Sequence, residues 1–435
     1  TEYQMFSSTS KRELYLRFAV LERYNELYSD VFPLIDLTEY HIDSLPSRIF
    51  ARRNLIFREY KMQSWQEALD STVHVDKKPH GLKKVKVDRV KAANTKRKTG
   101  NSIFEQLRAQ LTNVAAWQLR PKAPNDSMLT HMSFEVDLEG EMNDGGPGGP
   151  YREVFASLCK ELQRHNSSTS TGNIHILDRN EEDGTYVFNP NAGSPKMLQK
   201  VEFLGTLIGI ALRTHAIMPL DLAEVVWKTL THEGANEKKV DEDDDTNSDN
   251  NEILSDPMTL MGGFENTEDD DIGSAGSSDE YNDVIVEAIH IGMSRIVPTQ
   301  LLRTFTWYEF KRLVCGETNI DVDLLKRHTK YHEKVDPSAK YIEYFWNALR
   351  EFNQDERSRF IQFAYAQPRI PGNDAEWKST RTLRMRIMPP PLASKQGVPV
   401  EFMLPTAQTC FFDLHLPKYT TEEVMKRQLK LAIMS

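Results

Sequence analysis

Residues 237–283 carry seventeen acidic side chains against two lysines, a local balance of −15. Such a run, otherwise filled with serine, asparagine and glycine, cannot bury enough apolar surface to offset the entropy of ordering it. Any core must therefore be assembled from the sequence on either side, with the acidic segment projecting as a loop. Between DEDDD at 241–245 and EDDD at 268–271 lies one apolar island of Ile253, Leu254, Met258, Leu260, Met261 and Phe264. The net charge of the 435 residues is −10, but without this segment 52 basic residues face 47 acidic ones, a balance of +5. The acidity belongs to one segment and says little about the remainder.

Several classes fall away. At about 150 residues per domain, the chain has room for roughly three. Its most apolar helical stretch, Phe203 to Leu212, spans ten residues before Arg213 and His215, whereas a bilayer span needs about twenty. TEYQMFSSTSKREL has neither the basic start nor the apolar run of a secretory signal. The three cysteines, at 159, 315 and 410, show no CxxC spacing, which excludes a disulfide scaffold and a zinc module and fits a reducing compartment, cytoplasmic or also nuclear. Asp144-Gly-Gly-Pro-Gly-Gly-Pro150 lacks both the Gly-Lys-Ser/Thr of a phosphate loop and a GxGxxG opening directly onto a helix. No cofactor or metal site is expected. Ten Lys/Arg crowd the twenty-two residues Lys77–Lys98, but only Val85, Val87 and Val90 interleave with them. With no aromatic to stack on bases, the run reads as a solvated strand edge and loop, and no nucleic-acid partner is expected. The chain starts without Met and stops just after a helical pattern, as a piece of something longer would.

The first eighty residues read as helical. Ser10-x-x-Glu13 has the capping-box pattern, Leu14, Phe18, Leu21, Tyr24 and Tyr28 follow at helical spacing, and Ile49–Leu69 continues it. If this extension packs on the body, it does so through the Leu14 and Phe18 face. Alternation of Phe134, Val136 and Leu138 predicts a strand, and YREVFASLCKELQ a helix that buries Cys159. Residues 201–232 read as two helices broken at Met218-Pro219, with Gly205 and Gly209 permitting close helix packing. Order returns by Val284. Ile342, Phe345, Leu349 and Phe352 mark one helix and Gln354–Ala366 a second. Alternation at Val398, Val400, Phe402 and Leu404 predicts a strand, and Thr420-x-x-Glu423 caps a final helix using Met425, Leu429, Ala432 and Ile433.

Cys410 is the one cysteine outside a helical pattern. It follows the predicted strand and lies between Pro405 and Pro417, which places it on an exposed turn. A thiol is only a few per cent thiolate near neutrality, yet that thiolate is a strong nucleophile. Acceptance of an acyl group from another thioester is nearly isoenergetic and needs no buried Cys-His-Asn triad. On composition alone a lone cysteine is more often a small hydrophobe; its context decides.

LPTAQTCFFDLHLPKY closely resembles the active-site loop of HECT-type ubiquitin ligases. Other blocks match that family in order: VDLEGEMNDGGPGGPYREVF, EFLGTLIGIALRTHAIMPLDL, IVPTQLLRTFTWYEFKRLVCG with IDVDLLKRHTKY, and FWNALREFNQDERSRFIQFAYAQPRIP. The resemblance covers roughly residues 82 to 435, and the TCFF variant is closest to the large HERC-like group. It implies an α+β fold in two lobes, a larger mainly helical N-lobe at 82–330 and a smaller C-lobe of sheet and helices at 338–435. A hinge would lie at 331–337, the helical extension at 1–81 and the acidic insert at 233–283. It also implies an E3 ligase with three partners: a ubiquitin-charged E2, ubiquitin, and protein substrates. Cys410 would hold ubiquitin as a glycyl thioester and pass it to a substrate lysine. Thr409 and Phe411 would position the loop; Asp413 and His415 would either assist the incoming lysine or be plain surface residues; and Met258, Leu260, Met261 and Phe264 would either contact the E2 or be a remnant of degraded core.

This chain departs from the family pattern at Gln408, where many members have His, and at Phe412, where many have Asn. The E2-binding sublobe is displaced by the acidic segment, and the family's usual tail beyond the last helix is absent from the sequence. A second reading is therefore a HECT-like scaffold that no longer accepts an E2. A third, a cysteine hydrolase, would need a His and an Asn or Asp oriented on Cys410, and no local protease signature is present.

Overall fold

The computed structural model describes residues 9–37, 41, 44–73, 82–93, 101–121, 132–140, 148–164, 175–233, 278–379, 384–390 and 399–434. The apolar island with Met258, Leu260, Met261 and Phe264 lies outside them, as do Lys77, Lys78, Lys96–Lys98 and Val398.

Ser10 caps α1 (Lys11–Val31), its hydroxyl accepting the Glu13 N–H at 3.2 Å. Glu13 does not complete the box; its carboxylate pairs with Arg17. The expected Leu14 and Phe18 face is not the most buried one: Leu14 is half-buried and Phe18 is 58% exposed although its ring stacks on Phe57, centroids 5.9 Å apart, whereas Asn25 and Tyr28 are buried. The deeper contact is made by the C-terminal half, where the Asn25 side chain donates to Leu55 O and accepts from Phe57 N–H. The helical stretch expected over Ile49–Leu69 is two helices, α2 (Leu45–Phe50) and α3 (Arg58–Ser71), separated by a 3-10 turn at Arg53–Leu55.

β1 (Lys83–Val87) runs parallel to β2 (Phe134–Leu138), with Val85 opposite Val136. Val85 and Val87 are fully buried while the lysines of β1 face solvent, save the neighbouring Glu135 beside Lys84. After β1 comes the short α4 (Arg89–Ala93); α5 (Ile103–Leu111) and α6 (Gly148–Leu162) pack against the two strands. A hairpin of β3 (Leu177–Arg179) and β4 (Tyr186–Phe188) precedes α7 (Pro195–Thr214), α8 (Glu224–Leu230) and α9 (Ser278–Ser294). The break around Met218-Pro219 stands between α7 and α8, and His215 ends α7 in the left-handed region at φ 56°.

α7 and α9 cross at backbone contact. A β-carbon on Gly205 would sit 2.2 Å from Ile289 O, one on Gly209 3.0 Å from Ile296 Cβ, and one on Gly292 of α9 1.8 Å from Glu202 O. The two α7 glycines therefore serve close helix packing, as their spacing predicted.

Buried apolar residues form two clusters. The first reaches from Tyr28 to Cys315 at the end of α10 (Trp307–Cys315); the second runs from Ile320 to Leu429. They part over residues 316–319, where Gly316 takes φ 67°. The segment expected as a hinge, Tyr331–Pro337, lies instead inside the second cluster, where Val335 is buried. After α11 (Val322–Arg327), Tyr331 is held in β5 (Lys330–Tyr331), whose parallel pairing with β6 (Arg386–Met388) no two-residue pattern could announce. The helices α12 (Lys340–Glu351), α13 (Gln354–Tyr365) and α14 (Asp374–Ser379) precede β6, and with β7 (Thr406–Gln408) and β8 (Asp413–His415) the four-stranded sheet has the order β5-β6-β8-β7.

The strand expected across Val398–Leu404 is absent among its described residues. Val400–Phe402 is a 3-10 turn and Phe402 is 70% exposed; the alternation was apolar without a neighbouring strand to complete a ladder. The strand lies further on, as β7 (Thr406–Gln408), antiparallel to β8 (Asp413–His415). α15 (Glu422–Met434) closes the chain, and its cap falls one residue later than read. Thr421 accepts the Val424 N–H, while Thr420 donates to Glu401. No helix among the described residues is long and apolar enough to cross a membrane.

Candidate functional site

Four residues, 409–412, connect β7 to β8. Phe411 N–H donates to Gln408 O at 3.1 Å and Phe412 N–H to Thr409 O at 3.4 Å, which folds them into a tight turn. Phe412 leaves it at φ 57°, a conformation that costs a bulky residue roughly 1–2 kcal/mol and suits Asn far better. The offset is packing: Phe412 is fully buried and stacks on Tyr365 of α13, centroids 4.5 Å apart. The departure from Asn at this position thus has a compensating partner within the same cluster.

The turn presents Cys410, but not to solvent. Cys410 is only 8% exposed, against the expectation of an exposed turn, because the first turn of α6 covers it. Gly149 N–H donates to Cys410 Sγ at 3.1 Å. A side chain at Gly149 would find Thr409 Oγ1 at 2.6 Å and Cys410 Sγ at 2.9 Å, so a residue without a β-carbon is what allows this approach. One turn into α6, Arg152 is 1% exposed and reaches the same loop. Its Nη2 donates to Thr409 O at 2.5 Å and Cys410 O at 3.3 Å, its Nε to Tyr365 O at 3.1 Å, and its guanidinium lies 4.3 Å from the centre of the Tyr365 ring.

The remaining predicted residues lie beside this turn with other partners. Phe411 is half-buried. Asp413 is buried and its carboxylate takes a two-pronged bond from Arg386, Nε at 2.5 Å and Nη2 at 2.6 Å. His415 Nδ1 bonds Pro389 O at 2.9 Å. Both are thus tied to the β6 side of the sheet. The other two cysteines are fully buried, and loss of hydration pushes both thiols up, Cys315 to about 11 with its Sγ–H donating to Leu220 O. Among the described residues, no cluster of three or more His, Cys, Asp or Glu is arranged to hold a metal.

Sequence reasoning missed Arg152, Gly149, Tyr365 and Arg386. Arg152 and Gly149 stood in plain view within GGPYREVF, but nothing local ties them to a cysteine some 260 residues on. Their membership of a block that resembles the HECT-type family was the one available signal.

The site is thus in two parts, a cysteine on a strand-turn-strand unit beside one cluster, seated on a helix of the other. The family described as "HECT-domain (ubiquitin-transferase)" matches residues 156–271 and 280–435, and the chain belongs to that family. It is similar to the E3 ubiquitin-protein ligase HERC2 of Homo sapiens, 30% identical over 461 residues, covering 96% of this chain and 9% of the relative. The probable E3 ubiquitin-protein ligase HECTD4 of Homo sapiens is 27% identical over 485 residues, covering 97% of this chain and 12% of the relative. HUWE1 of Mus musculus, also an E3 ubiquitin-protein ligase, is 34% identical over 144 residues, a third of this chain (33%) and 3% of its own length. The chain thus spans between 3% and 12% of these curated relatives. Family and relatives support a ubiquitin-ligase function.

Proposed function

We propose that this chain is the catalytic domain of a HECT-type E3 ubiquitin ligase in which Cys410 accepts ubiquitin from a charged E2 and passes it to a substrate lysine. The observation that carries the reading is that Cys410, alone of the three cysteines, sits on a turn with a backbone N–H, that of Gly149, addressed to its sulfur, while Cys159 and Cys315 are sealed in the apolar core. In the first step the Cys410 thiolate attacks the E2 thioester; the new C–S bond forms as the E2 sulfur leaves. In the second, a lysine amine attacks the Cys410 thioester, an isopeptide forms, and the sulfur departs with the electron pair. The two clusters act as lobes. Because an E2 cannot reach a sulfur covered by α6, loading requires them to separate, and residues 316–319 are where the cores part. This reading assigns E2 contact to the larger lobe and to Met258, Leu260, Met261 and Phe264.

The test is a charging reaction with E1, ATP, ubiquitin and a panel of E2s, resolved on a non-reducing gel beside Cys410→Ala. The expected product is a ubiquitin adduct that thiol reagents remove and the variant cannot form. No adduct with any E2, from protein shown to be folded, would overturn the proposal and leave the scaffold reading.

A further inference from the structure

We infer that Arg152 is a positioning residue for the second transfer: it holds the Cys410 loop on the N-terminal turn of α6, so that Gly149 N–H faces the sulfur when the thioester is broken. This rests on the function proposed above and adds to it a division of labour between the steps.

The argument begins with what the seat prevents. Cys410 is 8% exposed, and its cover is backbone of the first cluster. A folded E2 carrying its own thioester cannot bring a carbonyl carbon to that sulfur while the loop is seated, so the seated arrangement does not serve loading. Nor does it look like idle packing. Arg152 spends its donors on three backbone carbonyls of the second cluster, those of Thr409, Cys410 and Tyr365. Two belong to the reacting residue and its neighbour. A planar guanidinium fixes such carbonyls in position and direction, which an ammonium on a flexible stem does not. Gly149 then completes the fit, since any β-carbon there would press on both Thr409 Oγ1 and Cys410 Sγ.

The chemistry of the second step needs this arrangement. As the lysine nitrogen bonds to the thioester carbon, the C–S bond breaks and its electron pair goes to Sγ; the proton shed by nitrogen ends on the thiolate. Charge therefore grows on the atom that Gly149 N–H already addresses at 3.1 Å. A donor fixed before the charge develops lowers the barrier without reorganisation, and misplacing such a group by about 1 Å costs on the order of 10²-fold.

The experiment separates the steps. Wild type, Arg152→Ala, Arg152→Lys and Gly149→Ala are each charged from a labelled E2–ubiquitin under single-turnover conditions, and the isolated thioesters are chased with free lysine or with dithiothreitol. Arg152→Ala and Gly149→Ala are expected to load at the wild-type rate or faster. Both should discharge about 10- to 100-fold more slowly to lysine and to dithiothreitol alike, because either nucleophile drives the electron pair of the C–S bond onto Sγ. Arg152→Lys, keeping the charge but not the fork, should recover only part of the lysine rate. Lysine discharge at the wild-type rate in Arg152→Ala and Gly149→Ala would overturn the inference, and faster loading with unchanged discharge would make the contact a resting latch. Parallel loss of loading, discharge and melting temperature would reduce Arg152 to a structural role. Failure of the wild type to load would refute the proposed function instead, so the two failures are distinguishable.

Discussion

Replacing Gly292 by alanine tests how the first cluster is built. The added carbon would lie 1.8 Å from Glu202 O, 2.7 Å from Thr206 N and 2.8 Å from Glu202 C. Ordinary contact begins at 3.4 Å, so α7 and α9 would have to part by 3.4 − 1.8 = 1.6 Å at this point. The obstructing atoms are backbone, and no side chain can rotate aside. Separation also opens the neighbouring contact of Gly205 with Ile289 and the Thr206 hydroxyl bond to Gly292 O. Overpacking of this kind costs about 3 kcal/mol or more. The better helix propensity of alanine returns about 1 kcal/mol, leaving a net loss of about 2–3 kcal/mol. At roughly 2–4 °C per kcal/mol for a unit of this size, the transition should fall by about 4–12 °C. Gly209→Ala is the internal control, because its nearest obstacles, Ile296 Cβ at 3.0 Å and Met293 O at 3.2 Å, need retreat by only a few tenths of an ångström; its melting point should move by no more than a few degrees. Both are read by calorimetry or by circular dichroism at 222 nm. If Gly292→Ala melts with the wild type, or if the two variants lose equally, the close crossing is not what these glycines maintain.

Two further outcomes are expected. Glu376 of α14 is 3% exposed and joins Arg312 of α10 at 2.8 Å and Arg58 of α3 at 3.5 Å; Glu376→Gln leaves two half-buried arginines facing a neutral amide, with Glu317 the one ion-pair partner Arg312 keeps among the described residues. This should cost about 3 kcal/mol, seen as a lower denaturant midpoint at constant m-value, and an unchanged midpoint would refute the pairing. The rings of His232 and His290, tilted by 31° with centroids 5.0 Å apart, are held down to about 3 and about 4 by burial first and then by neighbouring positive charge, His290, Arg303 and Arg53 for His232 and Arg303 for His290. The unfolded chain takes up these protons near pH 6.5 and the native state only well below it. The pair therefore adds constant stability above pH 6.5 and loses it as pH falls toward 4, by about 2–4 kcal/mol at pH 5. A double His→Leu variant should flatten that part of the stability profile; the same slope with and without the histidines would count against it.

The sequence disclosed what depends on neighbours along the chain. Helical spacing located α12, α13 and α15, the Gly205/Gly209 pair announced a close crossing, and the TCFF motif marked Cys410. What it hid depends on partners far away. Apolar alternation over 398–404 could not show that β8 pairs with residues 406–408 instead. Exposure of Cys410 was misjudged because its cover comes from α6, and the buried side of α1 because the Leu55 carbonyl and Phe57 N–H hold Asn25 inside while Phe18, stacked on the Phe57 ring, stays largely exposed. Thr420 and Thr421 offer the same hydroxyl one residue apart, and only the φ/ψ path of the chain chooses between them.

Both ends of the Cys410 turn are stitched into the sheet, with four residues between. The nucleophile is thus mounted like a tool on a rigid arm and has almost no stroke of its own. Under the function proposed, its travel between E2 and substrate would come from swinging the whole second cluster. The four residues 316–319 span at most about 14 Å when extended, so they serve as a pivot and not as a tether. Lengthening that pivot should change how often the sulfur arrives at each partner while leaving its intrinsic reactivity untouched.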